Sequence, residues 1–239
     1  MMDVEEIFLE DDLDILDIIE MGFPRRVYTR KQHFNDMDDL TFFKRFRLLK
    51  NTVLHVLELI EEQLEYPHDL NNSVSPINQL LTTLRFYASS GHVSQVADFM
   101  GMHESTACRL IARVSRILAG LYKNFVKLPQ PEEIVHIQTE FYQIAKFPRV
   151  IGAVDGTHMK IQSPGGDDAE VFRNRKGWFS INTQIICDAN LNLLDVVARW
   201  PGSTHDNTIF NNCVVRRKFE QGNFPNCILL ADMLRNDTC

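Results

Sequence analysis

The spacing of apolar residues changes once along this chain, at Pro148, and that change divides it into a helical region and a sheet-bearing one. Upstream, Phe42, Phe46, Leu49, Val53, Leu57, Ile60 and Leu64 recur every three or four residues, the mark of one buried stripe on a long helix. Downstream, residues 150–155 form an apolar run that ends on Asp155. Residues 179–187 and 193–200 then read as a hairpin around Asp188-Ala189-Asn190, and residues 207–219 as a helix after Asp206. A second short apolar strand, 227–232, ends on Asp232. The expected class is α+β: an N-terminal all-α region followed by a mixed sheet.

Within the helical region, Ser75-Pro76 supplies a cap and a first-turn proline for a helix carrying Leu80, Leu81, Leu84 and Tyr87. A short helix follows, with Val93, Val96, Ala97 and Met100 inward, and then a glycine turn at Gly101. A longer helix begins near Ser105 and runs to Leu121, so residues 93–121 have the layout of a helix-turn-helix. Its apolar face is Leu110, Ile111, Val114, Ile117, Leu118 and Leu121, while Arg109, Arg113 and Arg116 stripe the other side. Arginines on the exposed side of a recognition helix suit phosphates or guanine edges, with Ser105 at its start; a solvated helix face has the same spacing. Residues 132–145 read as one more amphipathic helix after Pro129 and Pro131.

The formal net charge of −7 does not exclude a nucleic-acid partner, because the charge is segregated. Residues 1–20 hold nine of the 32 acidic side chains and no Lys or Arg, leaving 23 acids against 25 Lys and Arg in the remainder. Five cysteines, odd in number and without a Cys-x-x-Cys pair, argue against a disulfide framework and a structural zinc site. No apolar run is long enough to span a bilayer, and the start is acidic rather than basic. The expected setting is nucleus and cytoplasm, with no membrane partner.

Two buried strands that each finish on an aspartate suggest a shared cation. Two hard carboxylates favour Mg2+ or Mn2+, and paired ions of this kind activate water for phosphodiester cleavage. Three antiparallel strands, a helix and a strand returning beside the first is how a ribonuclease-H-like domain begins, with acids on its first and fourth strands. Asp155 and Asp232 fit those slots by position; a surface aspartate at a strand end is the plainer reading of either alone.

Four blocks in order carry a resemblance: Asp155-Gly156-Thr157-His158, then residues 172–184 (Phe-Arg-Asn-Arg-Lys-Gly-Trp-Phe-Ser-Ile-Asn-Thr-Gln), then Pro201-Gly202-Ser203-Thr204-His205-Asp206, then Leu229-Leu230-Ala231-Asp232. They resemble the blocks of Harbinger-type transposases and the nucleases derived from them. Phe43-Lys44-Arg45-Phe46-Arg47-Leu48 stands where that family has its leading Phe-Arg helix. The resemblance implies a DDE-type, divalent-metal-dependent DNA endonuclease, in which two aspartates and a glutamate hold Mg2+ or Mn2+. It implies Asp155 and Asp232 as catalytic and metal-binding acids, with Asp206 as a rival or supporting carboxylate. His158 and His205 would orient acids or touch phosphate; core-edge packing accounts for them equally well. Arg173, Arg175 and Lys176 form a loop suited to the DNA backbone.

The implied partners are double-stranded DNA and a protein for nuclear import or DNA targeting. After Asp232 the sequence departs from the family and no residue fills the third acid's place, so a C-terminally truncated nuclease of impaired activity is expected. A non-catalytic DNA-binding or adaptor protein is the alternative. The expected organisation is an acidic leader (1–37), a helical region (38–147), and the first part of a ribonuclease-H-like nuclease domain (148–239), left incomplete.

Overall fold

The computed structural model describes residues 28–67, 73–89 and 92–231; the acidic stretch 1–20 and Asp232 lie outside them. The chain divides into two compact units between Gly120 and Leu121.

The first unit is helical: α1 (His33–Asp36), α2 (Asp39–Phe46), α3 (Lys50–Leu64), α4 (Pro76–Ala88), α5 (Val93–Met100) and α6 (Glu104–Gly120). The long stripe starting at Phe42 is split between two helices rather than one. Arg47 closes α2 in the left-handed conformation (φ 61°), its N–H donating to the Phe43 carbonyl, and α3 restarts after Leu49. Both halves still bury their share: Phe42 and Phe46 from α2, and Val53, Leu57, Ile60 and Leu64 from α3. The end of α3 leaves carbonyls without helical partners. The buried Gln79 amide donates to Leu64 O (2.9 Å) and Val74 O (2.8 Å), tying α3 to the start of α4.

Helices α5 and α6 meet at Gly101, whose φ of +66° is a left-handed value that glycine adopts without penalty. A Cβ at Gly101 would also sit 2.1 Å from the Thr29 carbonyl oxygen. Val96, Ala97, Met100, Leu110, Ile111 and Val114 are buried where the two helices pack together and on α4, as the spacing predicts; Ala107, outside the expected face, is buried with them, and Val93, Ile117 and Leu118 are half-buried.

The second unit has short α7 (Tyr122–Phe125), α8 (Ile134–Ala145), β1 (Val150–Lys160), a 3-10 turn (Ala169–Phe172), β2 (Ser180–Cys187), β3 (Leu193–Pro201), α9 (Asp206–Asn211), α10 (Val214–Glu220) and β4 (Ile228–Ala231). The sheet order is β3-β2-β1-β4, antiparallel except that β4 runs parallel to β1. The molecule is thus α+β, and this order and direction are those with which a ribonuclease-H-like sheet begins.

Helices cover both sheet faces. Ile137 and Phe141 of α8 pack with Ile151, Ala153 and Leu230. Cys213, Val215 and Phe210, from α9, α10 and the link between them, pack with Val154, Ile186 and Val197 on the other side. Helix α8, grouped with the helical region in the sequence reading, is therefore part of the sheet's own core.

Two further elements differ from the sequence expectation. Strand β1 does not stop at Asp155 but continues to Lys160, because Asp155 to Lys160 stay paired with Ile185 to Ser180 of β2. The expected helix 207–219 is two helices: Asn212 interrupts it, and the Cys213 sulfur accepts from Arg216 N (3.3 Å) to start α10. Among the described residues no helix is long and apolar enough to cross a membrane.

Candidate functional site

Asp155 directly follows the last described pair of the β1–β4 ladder. Among the described residues the last pair of that ladder is Val154 with Ala231, and the next residue in sequence after each is an aspartate. Neighbouring strands run about 4.8 Å apart. Asp155 is exposed, and its Oδ1 accepts from Gly156 N (2.8 Å).

Successive strand side chains alternate between faces. Ala153 packs with α8 and Val154 with α9–α10, so Asp155 leaves β1 on the α8 side and Gly156 on the α9–α10 side. The carboxylate of Asp206, first residue of α9, fills the space beside Gly156: an added Cβ would stand 2.6 Å from its Oδ1. Asp206 Oδ1 accepts from Asn182 Nδ2 (2.7 Å), which also donates to Thr204 O (2.9 Å). Asn182 faces His158 across the β1–β2 ladder, and Ser180 Oγ takes contacts from His158 Nδ1 (3.1 Å) and Asn174 Nδ2 (3.1 Å). Gly202 is pressed onto the same group, since a Cβ there would meet Ser180 Oγ and the Phe172 carbonyl.

Three of the four sequence blocks are thus interlocked on one face, through Gly156 and His158, through Asn174, Ser180 and Asn182, and through Gly202, Thr204 and Asp206. The Asn182 side chain, buried at 1% exposure, leaves its Oδ1 without a donor among the described residues. Asn182, Ser180 and Gly202 lay inside the recognised blocks, yet the sequence reading assigned them no part. Their signal was polarity at inward strand positions and a glycine beside a strand end.

The remaining candidates are spread over the molecule. His205 is exposed and precedes α9, its carbonyl accepting from Thr208 N (2.9 Å). Arg173 is engaged within its loop. It makes a two-pronged pair with Glu170 (2.7 and 2.9 Å), donates to Gly177 O (2.9 Å) and lies over the Phe179 ring at 4.4 Å. That pair holds the Glu170 carboxyl below its usual range. Arg175 and Lys176 are exposed, and Lys176 N donates to Asn174 Oδ1 (2.9 Å).

On α6, Arg109 and Arg116 are exposed, whereas Arg113 turns back onto the end of α3. Its Nη2 donates to Gln63 O (2.7 Å), and its guanidinium lies 4.5 Å from the centre of the Tyr66 ring. Ser105 N donates to His103 Nδ1 (3.1 Å), so His103 caps the start of α6. One half-buried acid has no counterpart among the sequence candidates. Asp195 on β3 accepts from the Tyr122 hydroxyl (3.3 Å), and burial raises its pKa.

Asp155 suits one position in the coordination of a hard cation, being an exposed carboxylate fixed at one oxygen. Among the described residues no group of three His, Cys, Asp or Glu converges, so a full ligand set is not found there.

Comparison with known proteins adds the family. Residues 154–233 match the family described as DDE superfamily endonuclease. "Putative nuclease HARBI1" from Rattus norvegicus is 29% identical over 217 residues, and its Homo sapiens counterpart 28%; each match covers 90% of this chain. "Protein ALP1-like" from Arabidopsis thaliana is 25% identical over 84% of this chain and 49% of its own length. The chain spans 62% of the length of the two HARBI1 proteins. No solved structure matches it. Residues 154–233 of the second unit are thus similar to the DDE superfamily endonucleases, and the chain is homologous to HARBI1 and to ALP1-like proteins.

Proposed function

We propose that this protein is a divalent-metal-dependent DNA endonuclease in which Asp155 and Asp232 hold Mg2+ or Mn2+. The carrying observation is the parallel register of β1 and β4, whose last described pair, Val154 with Ala231, precedes an aspartate on both strands. Parallel neighbours in register project equivalent side chains to the same face, which is what two ligands of one cation need. The bound metal would supply an activated water and charge stabilisation at the phosphodiester. The chain's own contribution is placement: Asp155 is held by Gly156 N, while Asp206 and Asn182 brace the next residue of β1 from the opposite face. In this reading Asp206 is the supporting carboxylate. Duplex DNA would be met by α6 through Arg109 and Arg116, and by the loop bearing Arg175 and Lys176.

The test is cleavage of duplex DNA with Mg2+ or Mn2+ by the full chain and by Asp155→Ala, alongside Mn2+ binding followed by calorimetry. The expected result is metal-dependent nicking and Mn2+ binding, both lost in Asp155→Ala with the melting temperature unchanged. Cleavage or Mn2+ binding that survives the substitution overturns the assignment of Asp155.

The second reading, duplex binding without chemistry, is favoured by the α5–turn–α6 pair with its exposed arginines. Salt-sensitive binding lost in Arg109→Gln/Arg116→Gln, with no cleavage under any divalent metal, would establish it.

A further inference from the structure

The first unit sets two arginines against one aromatic ring, with a third close in sequence. Phe99, near the end of α5, has the Arg85 guanidinium 5.0 Å and the Arg45 guanidinium 5.9 Å from its ring centre. Arg85 Nη1 donates to Arg45 O (3.0 Å), which fixes it against the last turn of α2, and Arg47 follows as the left-handed residue closing that helix. Arg45 and Arg47 are exposed and Arg85 is half-buried. Among the described residues none of the three pairs with a carboxylate. Burial, and after it the charges of Arg45 and Arg47, hold the Arg85 pKa below the usual arginine range.

Like charges assembled without a counter-ion raise the free energy of the folded chain. An oxyanion shared among them would relieve that, and guanidinium groups bind phosphate oxygens through directed, often two-pronged, hydrogen bonds. The position favours a backbone phosphate. Phe99 lies on α5, the first helix of the pair, and in helix-turn-helix proteins that helix crosses the sugar-phosphate backbone while the second enters the groove.

We propose that Arg45, Arg47 and Arg85 form a phosphate-binding cluster that takes the backbone of a nucleic-acid duplex beside α5. The inference rests on duplex binding by the first unit and adds a contact surface outside α6. It gives residues 42–47, at the end of α2, a division of labour: Phe42 and Phe46 bury, while Arg45 and Arg47 bind.

The experiment is fluorescence anisotropy of the full chain with a labelled duplex of arbitrary sequence, titrated over salt concentration. It compares wild type, Arg45→Gln/Arg47→Gln, Arg45→Lys/Arg47→Lys and Arg109→Gln/Arg116→Gln. Losing two phosphate contacts should weaken binding by roughly 10- to 100-fold near physiological salt and flatten the log–log salt slope by about 2. The lysine pair, which keeps the charge, should recover most of the slope. Circular dichroism and melting temperature check that the exposed substitutions leave the fold intact.

If the glutamine pair at 45 and 47 binds as wild type while the pair at 109 and 116 loses affinity, the cluster proposal fails and the α6 reading stands. If wild type binds no duplex, both fail. Tighter binding by the 45/47 glutamine pair also overturns the proposal, because those arginines would then be opposing the duplex rather than holding it.

Discussion

Gly156 and Asp206 show how a two-residue contact sets the candidate site. The aspartate occupies the volume a Cβ would need, so Gly156→Ala forces either the strand or the α9 terminus to move. Overpacking of this kind costs about 1–3 kcal/mol, read as a lower urea midpoint for the second unit. A midpoint unchanged within error would show that the carboxylate swings aside freely. Asp206→Asn instead keeps the shape and weakens a charge-assisted hydrogen bond from Asn182, a loss of about 1 kcal/mol. The contact itself was not legible in the sequence, since residues 156, 182 and 206 meet only after the sheet has formed; the family resemblance alone had put Asp206 forward as a supporting carboxylate. Asp155 was legible because an apolar run ending in an acid is a local pattern. Arg113 misled for the opposite reason: its spacing put it in the α6 stripe, but its partner, Gln63 O, lies 50 residues away in sequence.

Elements were read best where they bury a continuous stripe. Helices α5 and α6, with the glycine turn between them, emerge where the spacing puts them. The turn itself yields a prediction: Gly101→Ala combines left-handed strain with a collision against the Thr29 backbone and should cost at least about 2 kcal/mol. Breaks inside a stripe were invisible, as at Arg47 and Asn212, because apolar spacing continues across both.

The α1–α5 contact carries a pH dependence. His33 is buried, stacks on Phe99 at 4.1 Å and contacts Phe99 O through Nε2 (2.8 Å). Burial is the main cause that lowers its pKa from 6.5; the Phe99 carbonyl and Asp36 oppose this, while Lys31 and Arg85 add to it. A lowered folded pKa means the neutral ring is the native form. The stability it contributes is complete above pH 6.5 and is lost as pH falls from there through the folded value. Wild type should therefore lose more stability between neutral and mildly acid pH than His33→Gln, by about 1.4 kcal/mol per unit of pKa separation. Parallel loss in both proteins would assign the acid sensitivity elsewhere.

At the scale of the whole molecule, each unit has its own core: one built on Phe42, Phe46, Leu80 and Met100, the other on Ile151, Ile186 and Ile209. The sequence marked a boundary at the change in periodicity, Pro148, whereas contacts divide the chain between Gly120 and Leu121. The difference is α8. Its helical period looks like the preceding helices, but the strands that need covering are on β1's side of it, and only packing reveals that. Cooperativity should follow packing.

The chain's two tryptophans, Trp178 and Trp200, both belong to the second unit, so their fluorescence reports that unit alone, while far-UV circular dichroism weights the helical first unit. Gly101→Ala should lower the dichroism transition in urea and leave the tryptophan transition in place. Gly156→Ala should shift the tryptophan transition and spare most of the dichroism change. Coincident curves that move together in both variants would mean that the chain unfolds as one cooperative body. Separate curves would mean that the helical unit and the sheet-bearing unit respond independently to substitution within a single chain.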